Sequence, residues 1–204
     1  MFFERNHNLI PEIELEEYEL ELCAKGRDEE DPVTLSFEDL KNMPQHTLVS
    51  YISCAGNKRI YLQNVHPGIK GLHWTTGGIG NAKFRGVPIR YILLEKMGFT
   101  EEQLKDKHLI AFGYDADFQG KHYEVSIPMA YALEPKNEVM LILEMNGENL
   151  PAEHGFPVRM ISPGCIAVRS CKWVNKLIVS DVEADSAPQR RDYKIVKDTD
   201  MGTV

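Results

Sequence analysis

The apolar runs of this chain are short. The longest sustained one, VMLILEM at 139–145, is strand-sized and falls well under the roughly 18 to 20 residues that cross a bilayer. Between such runs the chain is punctuated by 15 glycines and 11 prolines, so it must fold from many brief elements. Its 204 residues suffice for one well-packed domain, or at most two small ones, without covalent staples.

Periodicity assigns the elements. In EIELEEYELELC at 12–23, Ile13, Leu15, Leu20 and Leu22 alternate with glutamates and Tyr18 falls in phase; this predicts a strand with one wet face. Ser36 with Asp39 three residues on forms a capping box, and a short helix runs to Pro44. Thr47–Ser53 is rich enough in β-branched and aromatic residues for a strand. GIKGLHWTTGGIGNAKFRG at 68–86 reads as tight turns and close backbone approach, without the GxGxxG spacing of a dinucleotide site. A helix is expected after Pro88, with Ile89, Ile92, Leu93 and Met97 facing the core and Gly98 closing it. A second begins at the Thr100–Gln103 box, and a third at Ser126, running through Leu133 to a stop at Pro135. Leu109–Gly113 and Val139–Met145 are expected strands, and Asn146-Gly147 signals a hairpin. Residues 153–181 read mostly as strand. From Asp181 the composition turns polar and charged, as in an exit segment. Many short strands with few short helices in no regular alternation give an α+β fold that is mostly β.

A net charge of −8 and pI near 5.4 argue against a general nucleic-acid binder, which carries a basic face. MFFERNHNLI at the N-terminus lacks the basic-then-apolar pattern of a secretory signal. Four cysteines without CxxC spacing argue against zinc-ribbon and thioredoxin motifs and for free thiols. Asp115 and Asp117 lack the further oxygens of a calcium loop.

Cys54 stands apart. LVSYISCAGNKR places it at the end of an apolar strand, before small residues and the cations Lys58 and Arg59, a setting that favours a thiolate able to act as nucleophile or metal ligand. Cys23, Cys165 and Cys171 lack such surroundings and read as packing residues. Other short chemical signals recur along the chain: RNH at 5–7, LHWTTGGIGNA at 72–82, MNGENLP at 145–151, HGFPVR at 154–159, RSCKW at 169–173 and RRDYK at 190–194.

Together with CAGNKR at 54–59, and in this order, these signals resemble the molybdenum-molybdopterin domain of the eukaryotic sulfite oxidase family, over almost the whole chain. The resemblance implies a mixed, mostly β molybdopterin-binding domain at 1–180, with 181–204 as an exit segment carrying the active-site Tyr193. It implies Cys54 as the thiolate ligand of molybdenum, a soft donor for such a metal. The cofactor wall would come from Phe3, Glu4, Arg5, Asn6 and His7, with Asp115 accepting from the pterin, His154 and Arg159 from the HGFPVR loop, and Ser170, Cys171 and Lys172 closing it. Arg and Lys around a phosphate supply charge-assisted hydrogen bonds. A pocket of Arg5, Arg59 and Trp74, with Tyr193 reaching the metal's oxygen ligand, would hold sulfite and sulfate.

The implied activity is oxidation of sulfite to sulfate by oxygen-atom transfer from Mo(VI), with electrons passed to an external acceptor: cytochrome c, a haem domain or oxygen. Nitrate or sulfoxide reduction on the same fold, or an inactive cofactor-binding fragment, are the alternatives. Two positions depart from the family: Lys58 stands where arginine is frequent, and Pro188 where an aromatic is common. Animal members also carry a cytochrome b5-like haem domain and a C-terminal dimerisation domain that adds an arginine to the substrate pocket. These lie outside the motifs matched, so no haem is expected in this chain and homodimerisation is open. Animal members work in the mitochondrial intermembrane space and plant members in peroxisomes; the C-terminal MGTV is not an SKL-type signal.

Overall fold

A computed structural model describes residues 2–24 and 32–194. Along the chain run β1 (Glu19–Ala24), β2 (Val33–Ser36), α1 (Phe37–Lys41), β3 (His46–Ser53), α2 (Arg59–Val65) and β4 (Ile79–Pro88). There follow α3 (Ile89–Tyr91), α4 (Glu101–Leu104), β5 (His108–Ala116), β6 (His122–Pro128) and α5 (Met129–Leu133). The remaining strands are β7 (Met140–Met145), β8 (Glu148–Asn149), β9 (Arg159–Ile161) and β10 (Val174–Ser180). They form two five-stranded sheets, ordered β2-β1-β10-β5-β6 and β3-β4-β7-β8, the latter with β9 on β7. Only β1 and β10 pair in parallel among the described strands; the rest are antiparallel.

Two buried clusters explain the patterning. The larger gathers Leu20, Leu22, Leu109, Val125 and Leu177 from the first sheet, and the smaller gathers Leu48, Ile52 and Phe84 from the second. Strand β7 lies between them: Leu141 and Leu143 point into the larger cluster, Met140 and Ile142 into the smaller. A strand buried on both faces has no wet side to alternate against, and VMLILEM is the unbroken apolar run that results. Each such buried side chain contributes roughly 1.5–3 kcal/mol of transfer free energy.

The capping boxes at Ser36 and Thr100 form as expected, and Asn146 and Gly147 both take positive φ in the β7–β8 turn. Other expectations fail: of residues 153–181, read as mostly strand, only Arg159–Ile161 and Val174–Ser180 are strand. The expected strand at 12–23 begins only at Glu19, after a 3-10 turn at Leu15–Glu17, although Tyr18, Leu20 and Leu22 are buried in phase. Ser126 caps no helix: it lies within β6, its hydroxyl accepts from Ala184 N–H, and α5 starts after Pro128. The glycine-rich stretch holds most of β4, ten residues long. Helix α2 buries none of its residues, so no apolar stripe announces it. The helix after Pro88 widens into a π turn at Ile92–Lys96 and ends at Gly98, whose φ is 68°.

Among the described residues no helix is long and apolar enough to cross a membrane. The exit segment is seen to Lys194, with a π turn at Pro188–Asp192; its last ten residues, with MGTV, lie outside the described residues.

Candidate functional site

Where β3 ends, the chain turns on itself and Cys54 is fixed. Cys54 N–H donates to Gly78 O at 2.7 Å, its carbonyl accepts from Asn57 N–H at 2.9 Å, and Gly56 N–H donates to Sγ at 3.3 Å. Asn57 Oδ1 accepts from Gly78 N–H at 3.2 Å, so the thiol loop and the 72–78 loop hold each other. A Cβ on Gly78 would lie 2.8 Å from the Trp74 ring, so glycine there lets the indole close over the turn. Trp74 in turn meets Phe3 edge-on at 6.3 Å.

Cys54 opens onto a cleft of about 690 Å³, part of it open to solvent. One wall is the N-terminal arm: Phe3, Arg5, Asn6 and His7. The floor comes from the first sheet, with Asp115 near the end of β5, Tyr123 on β6, and Lys172 and Trp173 just before β10. His154, Arg159 and Ser170 close the far side, and Tyr193 leans in from the exit segment.

On the far side, among the described residues, Arg159 and Lys172 form no ion pair with a carboxylate. Arg159 is buried on β9, donating from Nη1 to His154 O at 3.0 Å and from Nη2 to Ser170 O at 3.4 Å, while its Nε has no partner. Burial lowers its pKa to about 10. Lys172 Nζ donates to Glu153 O at 2.7 Å, to Asn6 Oδ1 and to Arg5 O, and lies 4.6 Å from the Trp173 ring centroid. Burial, then the neighbouring Arg159 charge, bring Lys172 to about 7 against the pull of Asp115 and Glu4. Asp115 accepts from Asn8 through Oδ2 at 3.0 Å, but its buried Oδ1 is unpaired, and burial raises its pKa. A Cβ on Gly113 would come within 2.4 Å of that Oδ1.

Unsatisfied buried donors and acceptors are costly unless something else meets them. Here they face one cleft, and the set matches an anionic, hydrogen-bonding ligand: a phosphate for Arg159 and Lys172, a ring donor for Asp115. Trp173 adds backbone strain, a bulky residue at φ 51° with Nε1 held by Ala152 O at 2.8 Å, as found where a site dictates local geometry. Glu4, Glu153 and His154 bring their ligand atoms within 4.8 Å of one another, but Lys172 bonded to the Glu153 carbonyl makes that corner poor for a metal cation.

At the Cys54 end, Tyr193 Oη lies 2.9 Å from His7 Nε2, and its carbonyl accepts from Arg169 Nη2 at 3.1 Å. Its phenol pKa is raised by burial and then by Cys54, against the opposing charges of Arg5 and Arg59. Arg59 itself rests on glycine: a Cβ at Gly71 would fall 2.4 Å from Nη1.

Most residues singled out from the sequence therefore converge. Cys54, Phe3, Arg5, Asn6, His7, Asp115, His154, Arg159, Ser170, Lys172 and Tyr193 line the cleft. Arg59 and Trp74 flank it through Tyr193 and Phe3. Glu4 is exposed at the rim. Cys171, expected to close the cofactor wall, does not line the cleft: its thiol is fully buried in the larger core and its carbonyl pairs with Met160 N–H, because the side chain turns to the opposite face from Ser170 and Lys172. Sequence reasoning missed Tyr123, Trp173 and the latch Arg169. The RSCKW stretch names Arg169 and Trp173 without showing what they hold.

Residues 7–188 match the family model described as oxidoreductase molybdopterin binding domain. The chain is 40% identical to the mitochondrial sulfite oxidase of Drosophila melanogaster, over 100% of this chain and 34% of the relative. It is 40% identical to the sulfite oxidase of Gallus gallus, over 95% of this chain and 41% of that one. The crystal structure of the sulfane dehydrogenase SoxCD from Paracoccus pantotrophus superimposes with a TM-score of 0.74 at 30% identity, covering 93% of this chain and 45% of its own. The chain thus spans 34–41% of the length of these curated relatives.

Proposed function

The chain belongs to the oxidoreductase molybdopterin-binding domain family, and from that premise we propose that it is the catalytic domain of a sulfite oxidase, oxidising sulfite to sulfate with electrons passed to an external acceptor. The observation that carries the reading is the polarity of the cleft. Arg159 Nε and Asp115 Oδ1, without partners among the described residues, stand with the Lys172 amine at one end, and the half-buried Cys54 thiol with Tyr193 and Arg5 at the other. One long anionic cofactor would answer both ends.

In this reading Arg159, Lys172 and Ser170 hold the cofactor phosphate, with His154, Asp115 and the arm from Phe3 to His7 along the pterin. Cys54 Sγ is the protein's ligand to molybdenum. When bound, the molybdenum centre supplies the oxygen-atom-transfer and two-electron chemistry. The chain's own residues do the rest. Arg5 and Arg59 draw in and orient the sulfite anion, Trp74 and Phe3 narrow the entrance against water, and fixed cations in such a cleft stabilise developing charge without reorganising. Tyr193 holds a proton at Oη, raised in pKa and therefore kept as phenol at neutral pH.

The names of relatives support a mitochondrial setting, which we place in the intermembrane space, with cytochrome c, a haem domain or oxygen as acceptor. The test is molybdenum and pterin analysis of the chain from a cofactor-competent host, then turnover with sulfite and an artificial acceptor. Roughly one molybdenum per chain and sulfite-dependent reduction are expected. Turnover only with nitrate or a sulfoxide would replace the substrate; absence of metal would overturn the reading.

A further inference from the structure

Oxidation of sulfite by water yields sulfate, two protons and two electrons, so protons must leave the cleft as electrons go to the acceptor. The hydroxyl of Tyr193 faces the cleft and lies 2.9 Å from His7 Nε2. The imidazole is held between two rings, 5.5 Å from Tyr123 and 5.9 Å edge-on to Tyr193, and the residue is solvent-exposed. Thus a phenol-imidazole pair lines the cleft and reaches solvent through His7. We propose that His7 is a positioning and proton-relay residue that acts through Tyr193, carrying protons released in the cleft to solvent. This rests on the activity proposed above.

The step balances as follows. Tyr193 Oη–H gives its proton to His7 Nε2 and takes one from the water consumed in the reaction; His7 gives its Nδ1 proton to solvent. One proton crosses per cycle; Tyr193 is restored at once, and His7, left as the Nε2–H tautomer, regains its Nδ1–H form by proton exchange with solvent before the next cycle. The charges facing His7 suit this. Arg5 on its own segment and Lys172 before β10 oppose a second positive charge, whereas Asp192, beside Tyr193, favours it. Desolvation against Tyr123 and Tyr193, then Arg5, set the imidazole pKa below its ordinary value, so His7 is the neutral acceptor at pH 7. Asp192, itself held acidic by Arg191, compensates the transient imidazolium. Arg169 fixes the Tyr193 backbone, so the pair keeps its geometry.

Two measurements on the full chain decide it. In histidine-labelled protein without cofactor, NMR titration of the His7 ring is expected to shift when Tyr193→Phe removes its partner; an unchanged titration would overturn the pairing. In molybdenum-loaded protein, with rates normalised to metal content, His7→Gln is expected to lower turnover about 100-fold and to abolish the acid limb of the pH profile. In His7→Ala, added imidazole is expected to restore part of the rate. A uniform loss at every pH without rescue would make His7 merely structural and sink the relay. If loaded wild-type protein fails to oxidise sulfite, the activity reading fails by itself and the NMR result still decides the pair.

Discussion

Lys172 carries a charge that the fold alone does not balance. Its pKa in the native chain is about 7, against an ordinary lysine value near 10.4 in the unfolded chain. As pH falls from about 10.4 to 7 the unfolded state therefore takes up a proton that the native state declines. The native state loses stability through that window, and the deficit is complete below about pH 7. Lys172→Met removes this dependence. Denaturant titration of cofactor-free protein is expected to place the variant highest relative to wild type near pH 6, with the gap narrowing toward pH 10. An anionic ligand reverses the preference by favouring the charged amine, so the same substitution is expected to lower molybdenum retention. Cys54→Ser behaves differently. The thiol is half-buried and among the described residues receives only the Gly56 N–H, so the stability change should stay within about 1 kcal/mol, while the proposed role as molybdenum's sulfur ligand predicts loss of oxidation. Activity retained at wild-type level would remove Cys54 from the metal.

At the scale of elements, β4 shows what glycine conceals. A Cβ on Gly86 would fall 1.9 Å from Leu141 O and 2.7 Å from Ile142 Cα, at the register shift where β4 crosses to β7. Both contacts are backbone, which cannot rotate away. Gly86→Ala is expected to cost about 3 kcal/mol or more, measured as a lower denaturation midpoint, whereas Gly147→Ala, with nothing within 4 Å, pays only for its φ of 93°. The glycines at 78, 80 and 86 look like loop punctuation in the sequence, yet two of them lie within a ten-residue strand. Their function is close approach, a property of the partner rather than of the stretch itself. Strands with their own alternation or apolar continuity, β3, β5 and β7, were legible for the complementary reason. Helix α2 was not, since it buries nothing. The site followed the same logic. Cys54, Arg159 and Tyr193 carry chemistry in their side chains and stand out in short motifs, while Arg169 matters only through the Tyr193 carbonyl it holds. Cys171 lies between two cleft residues in sequence but faces the core, because adjacent residues in extended chain point to opposite sides.

For the molecule as a whole, the cleft is where both sheets, the N-terminal arm and the exit segment meet. Cys54 follows β3 of the second sheet; Asp115 and Tyr123 belong to the first; His7 and Tyr193, 186 positions apart, touch across it. The proposed cofactor, spanning this space, would add to the bonds that already tie the arm to the first sheet and the exit segment, and would satisfy Arg159 Nε and Asp115 Oδ1. Its binding free energy then appears as folding stability, on the order of 4 kcal/mol when ligand exceeds its dissociation constant a thousandfold. In a chain of this length each kcal/mol moves the melting temperature by about 2–4 °C, so loaded protein is expected to melt roughly 10 °C above cofactor-free protein. Arg159→Met should erase most of that gap while raising the melting point of the cofactor-free form, because it deletes a buried cation along with the ligand's partner. Calorimetry on the four samples separates the two effects. Equal melting of loaded and free wild-type protein would mean that the cleft is held open by the two sheets alone, with its unpaired charges compensated by water.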